Sequence, residues 1–336
     1  MPERGFSQVP DVLPRFDPAE GMTVIEPPGS GAGWWAGAPS AVWTGSGWYL
    51  SYRLRRPQPE RGGTTLIAKS VDGANFTTIW SASKDDFASP SIERSALVRV
   101  SDDCWRLYVS YVDGADGRWR IDLLEAATPD GFDPRARRPA LTAGGIGVEG
   151  VKDPWVTRYA GSWLMIASYA PTPAGGADRV RLHATQDVYN TGLTRSLTGL
   201  ATSDDGVTWR WEGGILEPRP GRWDAYAARL TTVLRTSDGW LGLYDGSADV
   251  AENYEERCGL AVSTDLKTWR RLGDGPLVGA AGGPGTVRYA EAVREASGIR
   301  FYYEYTRSDG SHELRTSLVR GEGDDTTGLK RAYYSY

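Results

Sequence analysis

One short segment recurs five times along the chain, and this recurrence limits the possible folds more than any other feature. It is an apolar run rich in aromatics: Trp48-Tyr49-Leu50-Ser51-Tyr52, Trp105 to Tyr111, Trp163 to Tyr169, Trp240 to Tyr244 and Ile299 to Tyr303. The starts at 48, 105, 163, 240 and 299 lie 57, 58, 77 and 59 residues apart. A near-constant period of this kind marks one supersecondary unit stacked on its neighbours. Each run follows a Gly, Ser or Asp turn and an earlier β-prone segment, beginning near Pro39, Ile92, Asp153, Tyr226 and Val287.

The first four units continue into a third strand and a polar corner: Ser70-Val71-Asp72-Gly73, Thr128-Pro129-Asp130-Gly131, Ser203-Asp204-Asp205-Gly206 and Ser263-Thr264-Asp265-Leu266. An aromatic follows each, at Phe76, Phe132, Trp209 and Trp269. Asp, Ser and Gly are turn formers, and the aromatic caps the sheet edge. No stretch keeps apolar residues at helical spacing over a dozen positions. The pattern predicts an all-β, five-bladed β-propeller with three to four antiparallel strands per blade, a single domain over 1–336 after an irregular lead-in over 1–20. Either Met22 to Ile25 or Leu329 to Tyr336 is expected to close the last blade. The third unit is longer, with its excess between Ala170 and Thr194; this Pro-, Gly- and Asp-rich stretch carrying Arg179, Arg181 and His183 is either a rim loop over the site or a solvated loop.

Charge excludes some partners. The net charge of -5 comes from interspersed residues without a basic stripe, which argues against nucleic acid. No apolar run approaches the roughly 18 residues of a membrane helix. Met1 to Arg15 carries no signal-peptide pattern, so a cytoplasmic location is expected. Cys104 and Cys258 stand apart, and the two histidines, His183 and His312, are far apart in sequence. Neither a metal nor a cofactor is expected.

In a propeller the innermost strands line the central channel, so polar groups at their starts converge. Those starts read Gly37-Ala38-Pro39-Ser40, Ile92-Glu93-Arg94-Ser95, Val151-Lys152-Asp153-Pro154-Trp155, Trp223-Asp224-Ala225-Tyr226 with Arg229 beyond, and Arg288-Tyr289-Ala290-Glu291. Carboxylates at four of five starts, flanked by Arg, Lys and Tyr, form a candidate acid–base constellation; such charged pairs can equally plug a channel. The acidic segment Glu252 to Arg257, after Tyr244-Asp245-Gly246, could bind a cation or sugar hydroxyls, but its charge reads more readily as a solvated turn.

This arrangement resembles the five-bladed propeller glycosidases, the group of family 43 arabinanases and xylosidases and family 32 invertases. The resemblance is topological across the blades and most specific at Lys152-Asp153-Pro154. It implies that Asp153 orients substrate or tunes the acid, and that Asp224, where the family has Glu, is the general acid. It also exposes a departure: Ala38 stands where the family's blade-one carboxylate should be, and no Asp or Glu lies between Glu26 and Glu60. Glu93 or Glu291 is then expected as base, with Arg94, Lys152, Trp155, Tyr226, Arg229, Arg288 and Tyr289 binding a small-molecule or carbohydrate substrate. The alternatives are a propeller repurposed as a biosynthetic cyclase, isomerase or lyase, its pocket lined by Trp34, Trp35, Trp155 and Trp223, and a non-catalytic binding propeller.

Overall fold

The computed structural model describes residues 17–175, 178–277 and 283–320. Its strands fall into five consecutive antiparallel units. Blade one holds β2 (Trp35–Trp43), β3 (Trp48–Arg56), β4 (Arg61–Ser70) and β5 (Thr77–Ser83), after an initial strand β1 (Met22–Ile25). Blade two holds β6 (Ile92–Ser101), β7 (Cys104–Val112), β8 (Trp119–Ala126) and β9 (Arg138–Thr142). Blade three holds β10 (Gly150–Tyr159), β11 (Ser162–Ala170), β12 (Leu197–Ser203) and β13 (Arg210–Leu216). Blade four holds β14 (Ala227–Thr236), β15 (Gly239–Ser247), β16 (Arg257–Ser263) and β17 (Arg270–Arg271). Blade five holds β18 (Val287–Glu295), β19 (Gly298–Thr306) and β20 (His312–Arg320).

The fifth blade takes its outer strand from the start of the chain: β1 pairs antiparallel with β20, Met22 opposite Thr316 and Ile25 opposite Leu314. Of the two closures expected, Met22 to Ile25 is the one found; Leu329 to Tyr336 lie outside the described residues, as do positions 1–16 of the expected lead-in. A single bridge from Trp35 to His312 also joins blades one and five. The core is laid between blades. Leu97 and Leu107 meet Ile67 and Ala82 between blades one and two, and Leu243 and Leu260 meet Phe301 and Ala290 between blades four and five.

The polar corners repeat one hydrogen-bond scheme. Ser70 Oγ accepts from the amides of Asp72 and Gly73, Ser203 Oγ from Gly206, and Ser263 Oγ from Asp265 and Leu266. The following Asp accepts the next two amides, as Asp205 does from Val207 and Thr208. The last corner residue is left-handed, φ 74° at Gly73 and 71° at Gly206; Leu266 holds it at 64° despite its side chain.

A second repeated device aims residues at the axis. All five innermost strands break register near their starts, between Gly37 and Ser40, Ile92 and Ser95, Lys152 and Trp155, Leu230 and Thr232, and Arg288 and Glu291. Bulges re-aim side chains. In blades one, three and five the bulge contains a residue of positive φ: Ala38 at 53°, Asp153 at 57° and Tyr289 at 49°. Three non-glycine residues in this conformation at equivalent places are a strained arrangement of the kind that clusters at functional sites.

Candidate functional site at the propeller axis

The register breaks correct one expected placement. Trp223-Asp224 does not open the innermost strand of blade four. β14 begins at Ala227, and Arg229 and Leu230 occupy the places that Lys152 and Asp153 hold in blade three. The segment before it is a run of turns, with Arg219 N donating to Asp224 O and Ala225 N to Arg222 O. There the fully buried Asp224 carboxylate is clasped by Arg219 at 3.0 Å and Arg271 at 2.7 Å, and it accepts from Tyr244 Oη at 3.1 Å. Arg271 lies on β17, the outer strand of its blade, and Tyr244 on β15, so these bonds tie Asp224 into the body of blade four. Trp223 stacks on Tyr244 beside it.

Two other expected residues form a floor. Arg94 pairs with Glu291 and donates to Pro39 O at 3.0 Å and Thr231 O at 2.6 Å; Trp155 hydrogen-bonds to Glu291. Groups from all five blades thus meet at one buried ion pair. Burial pushes the Glu291 carboxyl up to about 7, against the pull of Arg94. Tyr226 is also taken up structurally, donating to Tyr189 O at 2.7 Å.

The remaining expected residues come together, joined by others that sequence reasoning missed. Glu93 accepts from Arg53 Nε at 2.7 Å and Arg55 Nη1 at 3.0 Å. Lys152 Nζ stands 3.4 Å from Asp153 Oδ2, which also accepts from Tyr289 Oη at 3.2 Å. Arg288 pairs with Glu304 at 3.0 Å and with Glu256, and Glu256 pairs with Arg229 as well. His312 Nδ1 lies 2.7 Å from Glu304, and its ring stacks on Trp35, over which the guanidinium groups of Arg53, Arg55 and Arg288 also sit. These residues are all buried, at most 6% exposed.

The electrostatics separate the carboxyls. Burial would raise Glu93, but Arg53, Lys152 and Arg55 outweigh it and hold the group far below its ordinary value. Burial is likewise overcome at Glu304, which Arg53 and Arg288 hold down at about 2. Asp245, on β15, is shifted the other way by burial and by the nearby Glu256, while its Oδ2 accepts from the Tyr289 amide at 2.9 Å. Burial also lowers His312, favouring the neutral ring. With both oxygens of Glu93 taken by guanidinium groups, that carboxylate is poorly placed to accept a further proton.

Unused hydrogen-bonding atoms mark where this network remains open. Asp153 Oδ1, Arg53 Nη1 and Trp35 Nε1 are buried and have no hydrogen-bond partner among the described residues. Buried polar atoms are rarely left so without a ligand or water to meet them. Among the described residues no group of three or more His, Cys, Asp or Glu is arranged to hold a metal ion, and no helix is long and apolar enough to cross a membrane.

Two elements roof the axis. The blade-three insertion does not hang in solvent. Leu182, Val188 and Tyr189 pack with Val112, Trp119 and Ala170, and Asp187 accepts from Trp119 Nε1 and pairs with Arg61 of blade one. The segment expected to be a solvated turn after β15 also faces inward: Asn253 and Glu256 are buried and bind Arg229, and Tyr254 packs on Trp35 and Arg55. Two open cavities, of about 480 and 490 Å³, lie elsewhere, beside Tyr111 and Arg137 and beside Tyr159 and Trp240.

No family model and no curated protein sequence matches the chain. Solved structures do. A thermostable family-43 glycoside hydrolase superposes with a TM-score of 0.62 at 13% identity, covering 90% of this chain and 94% of that one. The β-1,2-mannobiose phosphorylase of Listeria innocua, solved with β-1,2-mannobiose, gives 0.56 at 16% identity, covering 95% and 97%. A member of the GH130 family, described as mannoside phosphorylases that include glycoside hydrolases targeting β-1,2 mannosidic linkages in Candida mannan, gives 0.58 at 13%, covering 96% and 98%. At these identities the likeness is one of fold: the chain is a five-bladed propeller and shares that fold with these proteins.

Proposed function

We propose that this chain is an enzyme acting on a small glycoside at the propeller axis, with Asp153 as the carboxylate that exchanges a proton with the glycosidic oxygen. The observation that carries this reading is the Asp153 side chain itself. It is set on a left-handed bulge, Tyr289 and Lys152 hold its Oδ2, and its Oδ1 is left for a ligand. Carboxylate, guanidinium and indole groups around one polar site suit a polyhydroxylated ring, and the sugar-acting proteins that share the fold support that choice of substrate. Asp224, clasped by Arg219 and Arg271, has no part in the proposed chemistry. Glu291 serves the floor, and Glu93 acts by holding Arg53 and Arg55 in place.

Cleavage also needs a nucleophile, and a paired-carboxylate mechanism takes it from a second carboxyl group or from a water that group activates. Ala38 offers a methyl group at the equivalent bulge. Attack by water would release a proton with no carboxylate there to take it. A hydrogen phosphate dianion needs no such base: its oxygen bonds to the anomeric carbon, the glycosidic carbon–oxygen bond breaks, protonated Asp153 gives its proton to the departing oxygen, and the proton carried by the phosphate restores Asp153. The unpartnered Arg53 Nη1 and Trp35 Nε1 donors favour this phosphorolytic reading over hydrolysis.

The test is turnover of a panel of furanosides, pyranosides and short oligosaccharides, with and without inorganic phosphate. Phosphate-dependent release of a sugar 1-phosphate is expected. Phosphate-independent release of free sugar would establish hydrolysis instead, and silence across the panel would overturn the enzymatic reading.

A further inference from the structure

The axial site is closed on both sides. Below it, Arg94 and Glu291 join all five blades, so no chain can thread the channel. Above it, Tyr254 reaches from blade four to blade one, its ring 5.3 Å from that of Trp35 and 5.0 Å from the Arg55 guanidinium. Asn190 of the insertion donates to Tyr254 Oη at 3.2 Å. With the residues beneath no more than 6% exposed, a ligand reaches Asp153 only if part of this roof moves.

The two parts of the roof are not equally fixed. The insertion is pinned by its apolar cluster, by Arg61 donating to Thr185 O and Gln186 O, and by Tyr189 Oη donating to Gly150 O. The segment at 248–255 is held over the mouth by single polar contacts, Asn253 to Arg229, Glu255 to Gly283 N and Tyr254 to Asn190; Asp249 and Ala251 at its tip are exposed, and its base is anchored at Glu256 by the pairs with Arg229 and Arg288.

We propose that this segment is a strap that opens against the fixed insertion, with Tyr254 its closing residue, and that the dead-end site beneath it selects the terminal unit of a short glycoside over the interior of a long chain. The choice of ligand rests on the function proposed above; the strap does not. Opening would carry Tyr254 off Trp35 and Arg55, and closing would return water-free surroundings to Asp153. A floor sealed by an ion pair admits a chain end and stops it, which fixes which bond faces Asp153.

The structure supplies a lock. A Cβ built on Gly192 stands 3.8 Å from Val250 Cβ, the mean separation across a disulfide. The pair Gly192→Cys and Val250→Cys, in a Cys104→Ser background, joins strap to insertion when oxidised. The readout is the rate at which phenylglyoxal labels Arg55, followed by peptide mapping, with the exposed Arg135 as control. Oxidation should slow Arg55 labelling at least tenfold, leave Arg135 unchanged and be reversed by reductant. Because Gly192 is left-handed at φ 71°, cysteine is strained there, and Tyr254→Ala provides the second variant; it should label at Arg55 faster than wild type. Arg55 labelling indifferent to both changes would overturn the strap. On any oligosaccharide that the wild type turns over, single terminal units are expected, and a ladder of internal products would overturn the selection of chain ends. Absence of all turnover would count against the proposed function, and the labelling would still decide the strap.

Discussion

Asp153 and Asp224 are both buried aspartates beside cations, yet their surroundings assign them different work. Asp224 is enclosed by Arg219, Arg271 and Tyr244, so its oxygens are committed within the fold. Removing one member of a buried ion cluster leaves uncompensated charge and costs about 3–5 kcal/mol. Asp224→Asn should therefore lower the unfolding free energy by about 3 kcal/mol, toward the low end because Arg219 keeps some water contact, while kcat/KM stays within about threefold of wild type. Denaturant melts and steady-state kinetics on the same preparations check both halves. Asp153 owes its difference to the backbone: φ 57° turns its side chain toward the axis, where one oxygen stays unpaired. Ala38 shares that backbone conformation, φ 53°, but carries only a methyl group there.

At the scale of strands and loops, the repeat made the blades legible. Hydrophobic runs beginning at Trp48, Trp105, Trp163, Trp240 and Ile299 all became second strands because each is buried on both faces between neighbouring blades. Lys152-Asp153-Pro154 and Arg288-Tyr289 were legible as parts of first strands for the same reason, since a fixed distance separates them from those runs. Blade four defeated the reading because Trp223-Asp224 imitates a strand start, while the turns across Arg219 to Ala225 move the true start to Ala227. Arg53, Arg55 and Glu304 were missed because they lie on second strands, where a sequence gives no hint that a bulge opposite will leave long side chains room to reach the axis. Asn253, Tyr254 and Glu256 have the composition of a solvated turn; only the roofed geometry turns them inward.

For the whole molecule, the floor links the integrity of the ring to pH. Glu291 has its carboxyl raised from 4.5 to about 7 by burial. A raised group contributes its full stability below the unfolded value and loses it as pH rises through the folded value. Stability from this site should therefore decline between about pH 4.5 and 7, and Glu291→Gln should flatten that part of the profile. Arg94→Met should destabilise more at pH 8, where Glu291 is left as an unpaired buried anion, than at pH 5, where it is protonated. Chemical denaturation across this range measures both, and a loss from Arg94→Met independent of pH would mean that the pair acts only through Pro39 O and Thr231 O. Above that floor, Asp153 is the one carboxylate proposed to react. The measurement that tests this most directly is kcat/KM of Asp153→Asn against wild type on a glycoside that the wild type converts. A fall of about 10²–10⁴, the usual contribution of a positioned acid or base, is expected in protein that stays folded at the assay temperature; activity within a few fold of wild type would contradict it.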